Sequence, residues 1–565
     1  MCATALAALL CAVWAWRDWP ALSALRLPDT DDMLRLQQIR DWLAGQAFAD
    51  LSQHRLGAAP GLAMHWSRLP DLVPGAMIAL LTPLLGAHGA ELVAVIVWPT
   101  LLFAGALLLI ARIARLLGGS AIARTAVVVA AIAFPTTTIF LPGRIDHHGL
   151  QVVLLLIVAR GLVARPAIEP GLVAGLAAAA SFVIGMETAP LLAAAGVALA
   201  IGWLQARPGA DDRMMGFGIG IGAGLLAASI LFRPTLWDFS ACDGFTMTAW
   251  RAGVIAAFAP MGMALAARDI ASPATRAVLG AIILCLIGAG IVLVAPQCLS
   301  PYGMVDPLLA RLWLSNVGEA QPLFAASLPT AFGYAGVMGA GVLASAWQLR
   351  VTRDLRWSCL LLLQLAALVL TCVQLRGAYA GAILAAPGLA AVIAAARRRG
   401  AVAMAGAWLA SAGMLYPIAA QAIVPAGTPG RDLPGDGCSG PAALADLARL
   451  PQGRLLAPLD LGGFAIGATT LQVVGAPYHR NTAGNLAVYH FFLGNPVQAA
   501  RVAQIWQVRY VALCADGFGD AGSGSMAQAL RRGAPPPWLR PIATQNQQLA
   551  LYRVEPGLFP ERRSR

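Results

Sequence analysis

The chain has 565 residues, 59% hydrophobic and only 12% charged, with a mean hydropathy of +0.71. Soluble proteins carry about 25% charged residues, so the composition excludes an ordinary soluble protein and points to a polytopic helical membrane protein. The net charge is +12 without a single lysine. Its arginines stand singly or in short groups between apolar runs, which is the pattern of topology signals and not of nucleic-acid binding.

The first apolar run, Ala3 to Trp16, lacks a basic leader region and a cleavage site, and reads as a slightly short first span. A polar segment, Arg17 to Pro70, follows. Within it Pro28-Asp29-Thr30-Asp31-Asp32 opens a helical pattern that runs to Gly45, with Leu34, Ile39 and Leu43 as its apolar edge. The three acids read either as a helix N-terminal cap or as ligands of a metal or substrate. Val73 to Leu85 is apolar but short and holds two prolines, as an interfacial or re-entrant piece would.

Twelve further spans are expected near residues 91–111, 121–141, 147–163, 171–187, 188–204, 214–232, 250–267, 276–295, 326–348, 357–375, 378–396 and 401–424. Residues 171–204 also read as one interrupted element. If the first span enters from the cytoplasm, every short inside loop carries arginine: Arg112, Arg115 and Arg124, then Arg160 and Arg165, Arg207 and Arg213, Arg268 and Arg276, Arg350, Arg353 and Arg356, and Arg397 to Arg399. That agreement gives about thirteen spans. It also puts Asp31, Asp146, Glu319, Arg376 and everything after Val424 on one outer face.

Between two of these spans lies Pro142-Gly143-Arg144-Ile145-Asp146-His147-His148-Gly149. Charge at a bilayer edge is costly and often functional, and carboxylate with imidazole suits a divalent ion. Asp146 and His148 can face one ion with His147 turned elsewhere; a polar turn capped by Asp146 is the alternative. The late outer loop, 296–325, contains Glu319-Ala320-Gln321-Pro322, where Glu319 is a candidate ligand or a solvated surface acid. Arg376, in Gln374-Leu375-Arg376-Gly377-Ala378-Tyr379, suits a phosphate or snorkels to the interface.

Residues 1–427 thus read as a membrane domain with outer loops 17–70, 142–149 and 296–325, and 428–565 as a small extracytoplasmic α/β domain. Gly427 to Gly437 reads as a linker, and Glu561 to Arg565 as a disordered end. Strands are expected at Arg454–Pro458, Leu471–Val474 and Tyr510–Leu513, with helices at Pro441–Leu450 and Pro496–Trp506. Tyr478-His479-Arg480-Asn481 either reaches over the membrane domain toward a donor or forms a surface turn. The nine cysteines show no zinc-ligand spacing. Cys11, Cys285, Cys359 and Cys372 read as small core residues, while Cys242, Cys298, Cys438 and Cys514 fall in outer segments where disulfides can form.

An acid in the first outer loop, Gly-Arg-Ile-Asp-His-His in the second, Glu-Ala-Gln-Pro in a late loop and Arg376 before the last spans together resemble the oligosaccharyltransferase catalytic subunit, a GT-C glycosyltransferase. The Gly-Arg-Ile-Asp-His-His form is most similar to the archaeal enzymes. The resemblance implies about thirteen spans followed by an extracytoplasmic domain. It implies catalytic and metal-ligating roles for Asp31 (with Asp29 or Asp32 as substitutes) and Glu319, and metal ligation by Asp146 and His148. It implies donor-phosphate binding by Arg376, and Tyr478, His479 and Arg480 are expected beside it; Arg144, His147 and Gln321 are further candidates. The cofactor implied is Mn or Mg, and the donor a sugar or oligosaccharide on a polyprenyl phosphate or pyrophosphate. The family's Trp-Trp-Asp-Tyr-Gly acceptor motif has no match here: its nearest counterpart is Pro458-Leu459-Asp460-Leu461-Gly462. The acceptor therefore stays open among protein, lipid and polysaccharide. A transferase using polyprenyl-monophosphate sugars and a lipid-linked glycan flippase are the rival readings. Mid-span charges and internal symmetry, which a transporter would show, are not evident. A bacterial inner membrane with a periplasmic site is expected, with membrane lipids as partners and no nucleic acid.

Overall fold

The computed structural model describes residues 2–300, 305–423, 437–519 and 521–559. The expected linker, apart from Gly437, and the end Glu561 to Arg565 lie outside the described residues. Among the described residues, eight helices are long and apolar enough to cross a membrane, or nine if a bent pair counts as one span. The chain is a multi-pass membrane protein, but thirteen spans are not reproduced. Two causes account for the difference. The apolar helices Ala3–Arg17, His148–Val163 and Ile168–Ile184 are each under 18 residues, short of the roughly 20 that a straight crossing needs. In addition, one 60-residue run, Leu72–Ala131, gathers three expected elements and leaves helical geometry at Gly86 and again at Gly118 and Gly119.

Two expected spans end differently. The helix expected over 121–141 stops at Ala131 and resumes as a 3-10 turn, Thr136–Phe140; Pro135 has no N–H to continue the ladder. The span expected over 401–424 is two helices, Ala401–Ser411 and Leu415–Gln421, bent by 86°. The bend lies at Gly413, whose Cα faces the backbone of Phe134 too closely for a side chain.

The helices pack by close approach. Gly171 and Gly175 on Ile168–Ile184 meet Gly216 and Gly220 on Ala210–Leu231, where any side-chain carbon would strike a carbonyl of the facing helix. Small residues at a four-residue spacing are a common means of helix association in lipid. Most of Gly377–Arg399 is buried, whereas almost none of Pro273–Val294 is. The first lies at the centre of the bundle and the second at its lipid-facing edge. Cys285 on that outer helix is exposed, so it is not the core residue expected; Cys11 is buried.

After residue 437 the chain forms a five-stranded sheet. Its strands are β3 (Arg454–Leu456), β4 (Gln472–Val473), β5 (Tyr510–Cys514), β6 (Leu539–Ile542) and β7 (Leu549–Val554), in the order β4-β3-β5-β7-β6. β3 runs parallel to β4 and β5; β7 is antiparallel to β5 and β6. Helices Pro441–Ala448 and Pro496–Ile505 match expectation. Leu459–Ala468, Thr482–Leu493 and the final hairpin were not anticipated. Both pairings of the four outer cysteines are present: Cys242–Cys298 and Cys438–Cys514.

The first outer loop is woven into this sheet unit. Its small hairpin, β1 (Ser52–Gln53) with β2 (Leu62–Ala63), precedes a bridge from Leu56 to Val473 of β4. Arg55 donates to the carbonyls of Ile466 and Thr469, and Arg40 to that of Gly467. These cations therefore cap the C-terminal end of Leu459–Ala468, where helix carbonyls lack partners and the dipole is negative. The same helix lies on Thr30–Leu43, with Gly463 against Thr30 and Gly467 against Met33. One apolar interior runs from Ala7 and Cys11 through Met33 to Ala465 and Tyr478.

Candidate functional site

The first-loop helix Thr30–Leu43 begins where Asp29 caps it: the Asp29 carboxylate accepts the backbone N–H of Asp31 at 3.2 Å. Asp29 is thus a helix cap, as one of the two readings of these acids has it. Asp29 and Asp32 flank Arg144 at 2.9 and 3.2 Å, and Asp32 accepts the backbone N–H of Asp146 at 2.8 Å. Asp32 and Arg144 thereby tie the first loop to the second. Burial raises Asp32 to about 7 even though Arg144 opposes the shift.

The second loop turns at Gly143, whose φ of 91° favours glycine, and enters the helix His148–Val163. Asp146 stands between the two histidines. Its Oδ1 lies 2.5 Å from His147 Nδ1, and its Oδ2 lies 3.1 Å from His148 Nδ1. The Oδ1 side is closed by a cation. Arg35 Nη2 is 3.7 Å from Asp146 Oδ1 and 3.3 Å from His147 Nδ1, while Arg35 Nη1 donates to Asp71 at 2.7 Å. The Oδ2 side opens onto carboxylates. His148 Nε2 is 3.2 Å from Glu319 Oε2, and Glu319 Oε1 is 3.7 Å from Arg376 Nη2. The late loop is held there by its backbone: Arg376 N–H donates to Glu319 C=O, and Leu375 N–H to Gln321 C=O. The Gln321 side chain points away, to the carbonyl of Ser315.

The carboxylates of this spot are unequally matched by cations. Burial, then Asp146, Asp29 and Glu319, push the Asp31 carboxyl well above the usual range. Burial would also raise Glu319, but His148 and then Arg376 hold it at about 2. His147 and His148 likewise overcome burial and hold Asp146 well below the usual carboxylate range. One candidate donor atom of Asp146, His147 and His148 each can be chosen so that all three lie within 4.8 Å of one another. His148 Nδ1 and Asp32 Oδ2 are buried with ion-pair neighbours only, Asp146 Oδ2 at 3.1 Å and Arg144 Nη1 at 3.2 Å. Carboxylate oxygens and an imidazole nitrogen so placed fit a divalent cation on the Oδ2 side. The Arg35 guanidinium makes the Oδ1 side unfit for one.

Beside the cluster is a cavity lined by His148, Gln151, Glu187, Arg376 and Tyr379, with Leu191 and Leu370 as apolar walls. Glu187 was not anticipated. It sits on the 3-10 turn Met186–Thr188 between two apolar helices, with its Oε1 3.4 Å from His147 Nε2. A single acid in an apolar stretch is the signal that marks it.

Tyr478, His479 and Arg480 lie elsewhere. Arg480 forms a two-pronged pair with Asp243, at 2.7 and 2.6 Å, and His479 Nε2 lies 2.7 Å from the same carboxylate. Burial would raise Asp243, but the Arg480 and His479 hydrogen bonds hold it far below the usual range. Tyr478 is buried with its hydroxyl on the backbone N–H of His65 and 2.6 Å from His65 Nδ1. Burial and the adjacent His479 keep His65 neutral. Ring contacts from Tyr478 to Trp66 (5.6 Å) and from Trp66 to His147 (6.4 Å) link this group to the Asp146 cluster.

No protein-family model matches the sequence, and no curated protein does. Solved structures do. The apo crystal structure of the Archaeoglobus fulgidus oligosaccharyltransferase aligns with a TM-score of 0.70 at 15% identity, over 91% of this chain and 69% of that one. The same organism's AglB with an inhibitory peptide and a dolichol-phosphate gives 0.65 at 14% identity, over 95% and 71%. A complex with Zn and sulfate gives 0.63 at 14% identity, over 99% and 73%. At such low identity the likeness carries the architecture: this chain has the fold of the archaeal oligosaccharyltransferase.

Proposed function

We propose that the chain is a metal-assisted membrane glycosyltransferase of the GT-C type. It moves a sugar or oligosaccharide from a polyprenyl phosphate or pyrophosphate to an acceptor on the outer face of a bacterial inner membrane. The observation that carries this reading is the meeting of Asp31, Asp146, His148, Glu319 and Arg376, drawn from four separate segments, at one buried spot beside a partly apolar cavity. The structural neighbour solved with a dolichol-phosphate supports the donor class, and the one solved with Zn supports a divalent ion.

In this reading Asp146 and His148 hold the Mn or Mg ion, with Asp31 and Glu319 completing the donor set. The ion when bound stabilises the negative charge that develops on the departing phosphate. Arg376 binds that phosphate from the cavity side with a planar, permanently charged fork. Asp31 and Glu319 orient the incoming nucleophile. Arg144 and Arg35 keep the two loops in register and hold the Oδ1 edge of Asp146 closed. His479 and Arg480, committed to Asp243, fasten the C-terminal unit over the site. The disulfides Cys242–Cys298 and Cys438–Cys514 support an oxidising outer compartment for these segments, because such bonds persist there.

The test is direct. Purified protein in lipid discs receives Mn and a polyprenyl-linked sugar, as monophosphate in one arm and pyrophosphate in another. Released carrier and transferred sugar are read by mass spectrometry with peptide, lipid and polysaccharide acceptors. Turnover with one donor, lost on chelation, is expected. No turnover with either donor and any acceptor class, under conditions where the protein stays folded, would overturn the reading.

A further inference from the structure

We propose that Glu187 is a positioning residue for the metal-binding aspartate, acting through His147. The inference rests on the metal reading of the Asp146 cluster and adds a residue to it. Asp146 Oδ1, His147 and Glu187 form a line. The imidazole has Asp146 Oδ1 at 2.5 Å from Nδ1 and Glu187 Oε1 at 3.4 Å from Nε2. A carboxylate oxygen faces each ring nitrogen, one at hydrogen-bond distance and the other at ion-pair distance, so the ring is flanked at both ends. Asp146 is thereby fixed with Oδ2 turned toward His148 and Glu319. His147 is not spent as a ligand; it transmits the placement of Glu187 to the carboxylate that is one.

The surroundings show that Glu187 is itself held. Gln151, one helical turn after His147, donates its Nε2 to Glu187 Oε2 at 3.0 Å. Gly185 leaves the space that the Glu187 carboxylate occupies; a side-chain carbon there would collide with it. Ser181 and Thr188 hydroxyls meet at 2.7 Å and pin the turn that carries it. A carboxylate placed in an apolar bundle is costly to bury, and Gln151 and His147 hold this one next to the site, on a turn braced by Ser181 and Thr188. Partners of this kind orient the groups that bind a metal, and their loss lowers metal affinity about 10–100-fold.

The experiment is a Mn(II) titration of the full-length protein in lipid discs, followed by electron paramagnetic resonance of the free ion. Wild type, Glu187→Gln, His147→Gln, the double variant, Glu187→Asp and Asp146→Ala are compared, with the thermal midpoint of each. Glu187→Gln keeps the volume and the Gln151 contact region but removes the charge. The expected result is a 10–100-fold weaker Mn(II) affinity for Glu187→Gln at an unchanged midpoint, a similar loss for His147→Gln, no further loss in the double variant, and partial rescue by Glu187→Asp. Unchanged affinity in Glu187→Gln, or losses that simply add in the double variant, would overturn the positioning role while Asp146→Ala still abolishes binding. Wild type that binds Mn(II) no better than Asp146→Ala would instead overturn the metal reading itself.

Discussion

Asp146 and Asp243 are both buried aspartates with a histidine within about 3 Å and an arginine nearby, yet their surroundings differ in balance. Asp243 meets a two-pronged Arg480 and His479, and its oxygens are used up. Asp146 has Arg35 and His147 on one oxygen, but its other oxygen faces His148, beyond which lie Glu319 and the raised carboxyl of Asp31. A closed cluster of this kind fastens two parts of a protein. A cluster that adds the raised carboxyl of Asp31 to paired groups has the donor set that the proposed cation needs. The same residue types serve both ends, and only the count of charges around them tells which.

The largest effect that can break this comparison is on turnover. Asp146→Ala, His148→Ala and Glu319→Gln are each expected to cut sugar transfer by about a hundredfold or more, as chelation does. Arg480→Gln is expected to retain the chemical step. Equal losses at both clusters, measured on folded protein with a polyprenyl-linked donor, would erase the distinction.

Next comes stability. Asp243→Asn breaks a buried charged pair, which costs about 3–5 kcal/mol; urea unfolding, with hydrogen exchange read over residues 437–519, should show the loss there while Mn(II) affinity holds. Removing Cys438–Cys514, which closes a loop of 76 residues, should cost the same unit about 2–4 kcal/mol. If Asp243→Asn instead weakens Mn(II) as Asp146→Ala does, the two clusters are one site.

A smaller effect separates phosphate from metal. Arg376→Lys keeps the charge but loses the planar fork, and charged hydrogen bonds of this kind contribute about 1.5–3 kcal/mol. The donor KM should rise about tenfold or more with Mn(II) affinity unaltered. The smallest is in pH. The Asp31 carboxyl is raised, so a proton competes with the cation at pH values above the ordinary carboxylate range, and Mn(II) affinity should fall severalfold as the pH is lowered from 8 toward that range. Asp243 is depressed, so its contribution is present above the unfolded carboxylate pKa of about 3.9. Docking of the C-terminal unit, followed by exchange, should not change over that interval.

The residues of the open cluster were legible because each breaks an apolar pattern. Asp31, Asp146, His148, Glu319 and Arg376 sit in short polar stretches between apolar runs, and arginine placement put those stretches on one side. Glu187 broke the pattern as plainly, but it falls at the join of two expected spans, where a boundary absorbs a charge without comment. His479 and Arg480 were placed at the donor because arginine and histidine suit phosphate; the acid that takes them, Asp243, lies more than 230 residues away. The number of spans differs for another reason. The breaks at Gly86 and at Gly118 and Gly119 fall between the elements expected over 73–85, 91–111 and 121–141, but several expected spans form helices under 18 residues, a length that hydropathy alone does not set.

The arginines of the first loop that cap Leu459–Ala468 also set a timetable. Arg40 and Arg55 wait for carbonyls more than 400 residues downstream. At a synthesis rate of roughly 5–20 residues per second, that interval is on the order of 20 to 80 seconds. Throughout it the loop that carries Asp31 lacks these partners, so the chain cannot finish its centre until Leu459–Ala468 has been made. A truncated product that stops before the sheet unit would insert its helices and still lack the support under Asp31.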